Sequence, residues 1–218
     1  HFISHDIRAP NASILTLLEM QRNSMEPLQA DELLKRTEKY AQASLSIAES
    51  VVRLASAQNN EYRVAPLDLA SVLQDAVDDA WTQASNQEVS VTILQIPHSA
   101  PCVGDRPLLA RAMANVLNNA IKYSPARGTV RCSLYARGPN WVISIRDEGP
   151  GIDPAQQDRL FKPFSRLHDQ THPNISGVGL GLALVHTVVK RHGGSLEVES
   201  AVGQGAEFRL VLPASASD

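Results

Sequence analysis

The chain has 218 residues, with 20 Lys+Arg against 23 Asp+Glu and a formal net charge of -3. That balance excludes a strongly basic nucleic-acid binder and an acidic disordered tail, while 43% hydrophobic residues allow a real core in one large domain or two modest ones. Cys102 and Cys132 have no metal-binding or redox spacing and point to a reducing compartment, and no apolar run reaches the ~18 residues of a membrane span, so a soluble piece without a signal peptide is expected.

Residues 1–60 carry a helical pattern. Ile3, Ile7, Ile14 and Leu17 or Leu18 recur at three and four, and beyond a break at Met25-Glu26-Pro27 a second stripe runs Leu34, Ala41, Ala48, Ala55. Leu45 and Val52 interleave to complete a heptad seam. A hairpin with so narrow a stripe, half of it alanine, buries little alone, so a homodimer closing a four-helix bundle is predicted. Residues 61–66 read as a linker.

A second module spans residues 67–213. It opens with a helix capped by Asp68 that runs to about Ser85, then a strand at Val89–Ile96 and a helix from about Arg106 to Tyr123. Strands at Thr129–Tyr135 and Trp141–Arg146 follow, then a short helix started by Asp153-Pro154, a helix near Leu180–Arg191, and closing strands at Ser195–Glu199 and Ala206–Leu212. Strands and helices mix without a regular βαβ repeat, which predicts an α+β chain whose second module is an α/β sandwich with one mixed sheet. Residues 214–218 are a tail.

Four short segments carry chemistry. In His5-Asp6-Ile7-Arg8-Ala9-Pro10, His5 lies about 200° around the helix from Ile3 and faces solvent; Asp6 can hold its tautomer, and Pro10 bends the helix one turn later. A surface histidine beside a solvated acid reads the same way. Asn115, Asn119 and Lys122 fall on one helix face with Tyr123 beside them, suited to a hard cation and phosphate charge, or simply to water. Asp147-Glu148-Gly149-Pro150-Gly151 ends a strand: its first carboxylate can accept from a purine amine and its glycines admit a flat ring, although Asp-x-Gly-x-Gly is also ordinary turn chemistry. Gly177-Val178-Gly179-Leu180-Gly181 precedes a helix, where backbone N–H groups can meet phosphates or merely form a tight turn. Between the last two lies a long connection, Asp153–Ser176, that reads as a lid anchored by Phe161 and Phe164.

In this order the motifs resemble those of two-component sensor histidine kinases, over essentially the whole chain: a dimerisation and phosphotransfer hairpin followed by an ATP-binding domain of the gyrase, Hsp90, histidine kinase and MutL superfamily. The resemblance implies that His5 is the phosphoacceptor with Asp6 assisting, and that Asn119 ligates Mg²⁺ with Asn115, Lys122 and Tyr123 near the phosphates of ATP. It further implies that Asp147 binds adenine with Gly149 and Gly151, that Phe161–Arg166 is the F box, and that Gly177, Val178, Gly179, Leu180 and Gly181 form the second glycine box. The implied partner is the aspartate of a response-regulator receiver domain, and the implied setting is a cytoplasmic fragment of a longer sensor. Hydrolysing members place a glutamate where this chain has Asn115, which cannot act as a base at neutral pH. Departures from the family are Ala9, at a position linked to dephosphorylating the partner, Asn11, where leucine is usual, and Ala206, where Thr or Ser is customary. A nucleotide-binding scaffold that signals without catalysis and a hydrolytic ATPase are the rival readings.

Overall fold

The computed structural model describes residues 2–24, 28–59, 63–165 and 179–215, leaving aside the side chains of 2–7, 53, 54 and 56–59. The chain divides into two compact units, His1–Ser56 and Ala57–Asp218.

The first unit holds α1 (Phe2–Asn23) and α2 (Ala30–Asn59). Gln21 closes the turn between them, its amide donating to the Leu28 carbonyl at 2.9 Å and accepting from the Leu28 N–H at 2.8 Å. In α2 the less exposed row is Leu33, Thr37, Tyr40, Ser44, Ile47 and Val51, at heptad spacing. The seam expected from Leu34, Ala41, Leu45, Ala48, Val52 and Ala55 lies one position over and is exposed throughout, with Leu34 at 66% and Val52 at 63%. Apolarity alone singled out the outer row, because the inner one is half polar. In α1, Pro10 and Leu17 are buried, whereas Leu15 and Leu18 are exposed.

The second unit contains β1 (Ala65–Asp68), α3 (Leu69–Asn86), β2 (Ser90–Gln95), β3 (Pro101–Gly104), α4 (Arg106–Tyr123), β4 (Thr129–Arg137), β5 (Asn140–Arg146), α5 (Pro154–Gln157), α6 (Gly181–Arg191), β6 (Ser195–Ser200) and β7 (Ala206–Pro213). Five strands form a mixed sheet in the order β2-β4-β5-β7-β6, parallel only between β2 and β4; β1 and β3 pair separately. Helices α3, α4 and α6 pack side by side against the sheet. Leu134, Ile143 and Leu210 lie in register across three strands and are fully buried, as are Leu73, Leu109, Met113 and Leu117 from the helices. These rows place the two helices that carry the polar motifs directly over the sheet. The strands β1 and β3 are an addition to the expected elements: neither four-residue strand alternates over enough length to be read locally.

Side-chain caps set where the helices begin. Asp68 Oδ1 accepts from the N–H groups of Ala70 at 3.0 Å and Ala100 at 2.8 Å, so the expected cap also ties α3 to the chain entering β3. Asp105 caps α4 through Leu108, at 3.1 Å. The other end of α6 is tied to this cap by His192, whose Nε2 accepts from the Asp105 N–H at 3.0 Å while Nδ1 lies 2.8 Å from the Val188 carbonyl. Both contacts are satisfied by the neutral Nδ1–H tautomer. No helix among the described residues is long and apolar enough to cross a membrane.

Burial pushes the His192 pKa below its ordinary value, so the neutral ring belongs to the folded state. The stability it contributes is present above the unfolded-state pKa of about 6.5 and is lost as pH falls toward the depressed folded value. The stability advantage of wild type over His192→Gln, from urea unfolding of the second unit, should therefore be largest above pH 7 and shrink toward pH 5.5. A pH-independent advantage would contradict the assignment.

Candidate functional site

Strand β5 ends at Arg146 and the chain turns at Asp147, a carboxylate only 6% exposed. Its own N–H pairs with the Ala206 carbonyl at 2.9 Å, which anchors the turn to the start of β7. Its Oδ1 accepts from Gly149 N–H at 2.8 Å and Ala206 N–H at 3.1 Å. Its Oδ2 takes no hydrogen bond from the described residues. Burial raises the Asp147 pKa, against the opposing pull of those two N–H groups and of Arg146. The neighbouring Glu148 is held below the usual carboxylate range by the Thr129 N–H, at 3.0 Å, and by the Arg131 guanidinium, at 2.7 Å. Adjacent acids thus do different work: Glu148 staples the loop to β4, and Asp147 presents one oxygen.

Helix α4 supplies the second group. Its buried face is Leu109, Met113, Val116, Leu117 and Ala120, and the opposite face carries the half-buried Asn115, Asn119 and Lys122. Neither asparagine amide makes a hydrogen bond among the described residues. Gly149 sits against the Tyr123 carbonyl at the end of α4, and a Cβ on Gly181, the first residue of α6, would lie 3.5 Å from Asn115 Oδ1. Asn119 is four residues from both Asn115 and Tyr123 and therefore lies between them on one helix face. One face of α4 thus connects the Asp147 loop to the N-terminus of α6. The Lys122 ammonium lies 5.5 Å from the centroid of the Tyr123 ring.

The glycines before α6 are shaped by the F-box segment. Gly179 has φ +72°, and a Cβ there would meet the Ser165 carbonyl oxygen at 2.8 Å, so glycine is required on both counts. Its carbonyl accepts from the Phe164 N–H at 3.0 Å, and Phe161 stacks on His186 of α6 with ring centroids 5.5 Å apart. Leu180 caps α6 without a side-chain hydrogen bond. Gly151 lies against the Ala201 carbonyl in the β6–β7 turn.

The structure therefore brings together Asn115, Asn119, Tyr123, Asp147, Gly149 and Gly181 in one unit. Arg166, Gly177 and Val178, with the rest of 166–178 and thus the second half of the expected lid, lie outside the described residues. His5 and Asp6 are placed only on the backbone of α1. The roles of Glu148 and Ala206 escaped the sequence reading: Glu148 entered it only as the variable position of a glycine motif, and Ala206 only as a departure in side chain, whereas it acts through its backbone N–H, which any residue other than proline supplies.

The donor set fits a purine nucleotide with a hard cation. Asp147 Oδ2 can accept from an exocyclic amine within a wall of backbone, and the α6 N-terminus favours negative charge near Asn115. No group of three or more His, Cys, Asp or Glu side chains forms a metal site among the described residues. A lone amide oxygen such as that of Asn119 suits Mg²⁺, which draws most of its ligands from water and phosphate.

Comparison with known proteins agrees with this geometry. The family described as histidine kinase-, DNA gyrase B-, and HSP90-like ATPase matches residues 104–216. The sensor-like histidine kinase SenX3 of Mycolicibacterium smegmatis is 32% identical over 97% of this chain and 56% of its own length. The chain spans about half the length of the curated relatives it matches. Among solved structures, the mycobacterial sensor histidine kinase MprB is 35% identical over 69% of this chain and 97% of that one, with a TM-score of 0.59. The histidine kinase ThkA, solved in complex with the response regulator protein TrrA, shares the fold over 98% of this chain and 60% of that one, at a TM-score of 0.79 and 17% identity. The chain belongs to the histidine kinase-, DNA gyrase B- and HSP90-like ATPase family, among its sensor histidine kinases.

Proposed function

We propose that this chain is the catalytic core of an ATP-dependent protein-histidine kinase that phosphorylates its own His5 and passes the phosphoryl group to an aspartate of a response-regulator receiver domain. The observation that carries the nucleotide half is the Asp147 carboxylate, with one oxygen tied to two backbone N–H groups and the other left for a ligand amine. Asp147 selects the purine, Gly149 and Gly151 let its loop close against the Tyr123 and Ala201 carbonyls rather than making room for the ring, and Asn119 supplies an amide oxygen to Mg²⁺. Mg²⁺, when bound, neutralises charge on the phosphate oxygens. Asn115 stands beside Gly181 at the α6 N-terminus, and an amide there cannot take a proton from water, which favours transfer over hydrolysis. A ring nitrogen of His5 forms the bond to the γ-phosphorus as the bond to the bridging oxygen breaks and ADP leaves with the electron pair. Asp6 holds the other ring nitrogen. Transfer to a regulator is supported by the fold shared with ThkA, which was solved with such a partner.

The chain acts, in this reading, as a homodimer. The exposed row of Leu34, Leu45 and Val52 on α2, with Leu15 and Leu18 on α1, is an apolar surface that a second copy would cover to close a four-helix bundle.

Three measurements test the proposal. With γ-labelled ATP and Mg²⁺, wild type should acquire an acid-labile, base-stable label that is absent from His5→Gln. Asp147→Asn should weaken nucleotide binding by about tenfold or more, since it exchanges a charged acceptor for a neutral amide. Label persisting in His5→Gln would contradict the assignment. In sedimentation equilibrium, wild type should weigh twice 23.6 kDa and Leu45→Lys/Val52→Lys should shift to monomer; a wild-type monomer at micromolar concentration would contradict the bundle.

A further inference from the structure

The Ser200 hydroxyl stands at the end of β6, outside every motif singled out above, yet three parts of the site meet on this residue. Its Oγ accepts from the Ile152 N–H at 2.9 Å and donates to the Gly205 carbonyl at 2.6 Å. Its own carbonyl accepts from the Gln157 amide of α5 at 3.2 Å. Ile152 follows the glycines of the Asp147 loop, and Gly205 opens the way into β7.

The bond to Gly205 reaches Asp147 through one rigid unit. The Gly205 carbonyl and the Ala206 N–H belong to the same planar peptide, in which C=O and N–H point in opposite directions. One end of that plane is held by the Ser200 hydroxyl, and the other donates to Asp147 Oδ1 at 3.1 Å. Gly205 has φ +74°, and a Cβ there would fall inside the Asp147 carbonyl oxygen, so the residue has to be glycine. Glycine leaves the plane easy to rotate, and an external bond is needed to fix its angle. A hydrogen bond accepted at the carbonyl also polarises the peptide and strengthens the N–H as a donor. The Gly203 N–H bond to the Pro150 carbonyl, at 2.7 Å, holds the two loops together but does not act on this plane.

We infer that Ser200 is a positioning residue of the nucleotide site: through the Gly205–Ala206 peptide it sets the orientation of the Asp147 carboxylate and hence its preference for a purine bearing an exocyclic amine. This rests on the proposed nucleotide reading of Asp147. Ser200 touches no ligand itself, and its effect is confined to the amine contact.

The test compares the full chain with Ser200→Ala and Ser200→Thr, titrated with ADP and with purine riboside diphosphate, the analogue lacking the 6-amino group. The ratio of the two dissociation constants within one variant cancels any difference in the fraction folded. Wild type should favour ADP; Ser200→Ala should cut that ratio by about threefold to tenfold, the worth of one hydrogen bond, through weaker ADP binding with analogue binding unchanged. Ser200→Thr, which keeps the hydroxyl, should restore the ratio. A wild-type chain that binds ADP no better than the analogue would overturn the reading of Asp147 itself, and the inference with it. A wild-type preference that survives intact in Ser200→Ala, or affinities for both ligands that fall together, would overturn the role of Ser200 alone.

Discussion

The second unit is arranged around one constraint: a carboxylate taken out of water at the end of β5 must be satisfied on one side and left open on the other. Removing Asp147 from solvent is unfavourable by itself, and the pKa raised by burial reports that cost. Two backbone N–H groups meet it, and each is available only because a loop is bent toward the carboxylate. Gly149 turns back on itself, and Ala206 is delivered by a turn that closes against the Asp147 backbone. Glu148, bonded to β4, and Ser200 on β6 hold those loops from either side. The sheet order β4-β5-β7-β6 is what makes this possible, since it brings the end of β5, the start of β7 and the end of β6 to one edge of the domain.

A second requirement falls on α4. Its buried face must fill the space over the sheet with Leu109, Met113 and Leu117, and its other face must run without interruption from the Asp147 loop to the α6 N-terminus. A helix of eighteen residues meets both needs because its polar stripe repeats at three and four: Asn115, Asn119, Lys122. The same economy explains His192, which joins the cap of α4 to the end of α6 at their far ends with a neutral ring whose two nitrogens are both used.

Much of this was legible in the sequence, and the exceptions share a physical cause. The long elements were read to within one or two residues because periodicity and caps are local: Asp68 was readable as the cap of α3, the apolar stripe alone placed the start of α4 that Asp105 caps, and Asp153-Pro154 marked the short α5. Asp147, Gly149, Asn115 and Asn119 were readable as separate motifs with candidate chemistries, and the structure adds that one face of α4 links them. What escaped depends on pairings distant in sequence. The β1–β3 pair, the bond from Asp105 to His192 and the hold of Ser200 on Gly205 leave no periodic trace, and Ala206 contributes a backbone atom that carries no residue signature. In α2 the sequence contains two heptad rows one position apart. The more apolar one is the row that the single chain leaves exposed, so composition located an exposed apolar surface rather than the row that packs within the hairpin.

The claim on which the rest depends is that the open oxygen of Asp147 receives a purine amine while the other stays bound to the protein backbone. Amide nitrogen chemical shifts report this directly, since Gly149 and Ala206 donate to the same carboxylate. Titrating ¹⁵N-labelled chain with ADP and Mg²⁺ should shift those two resonances among the most strongly of all and leave them visible at saturation. Saturation binding that leaves both resonances in place would contradict the account.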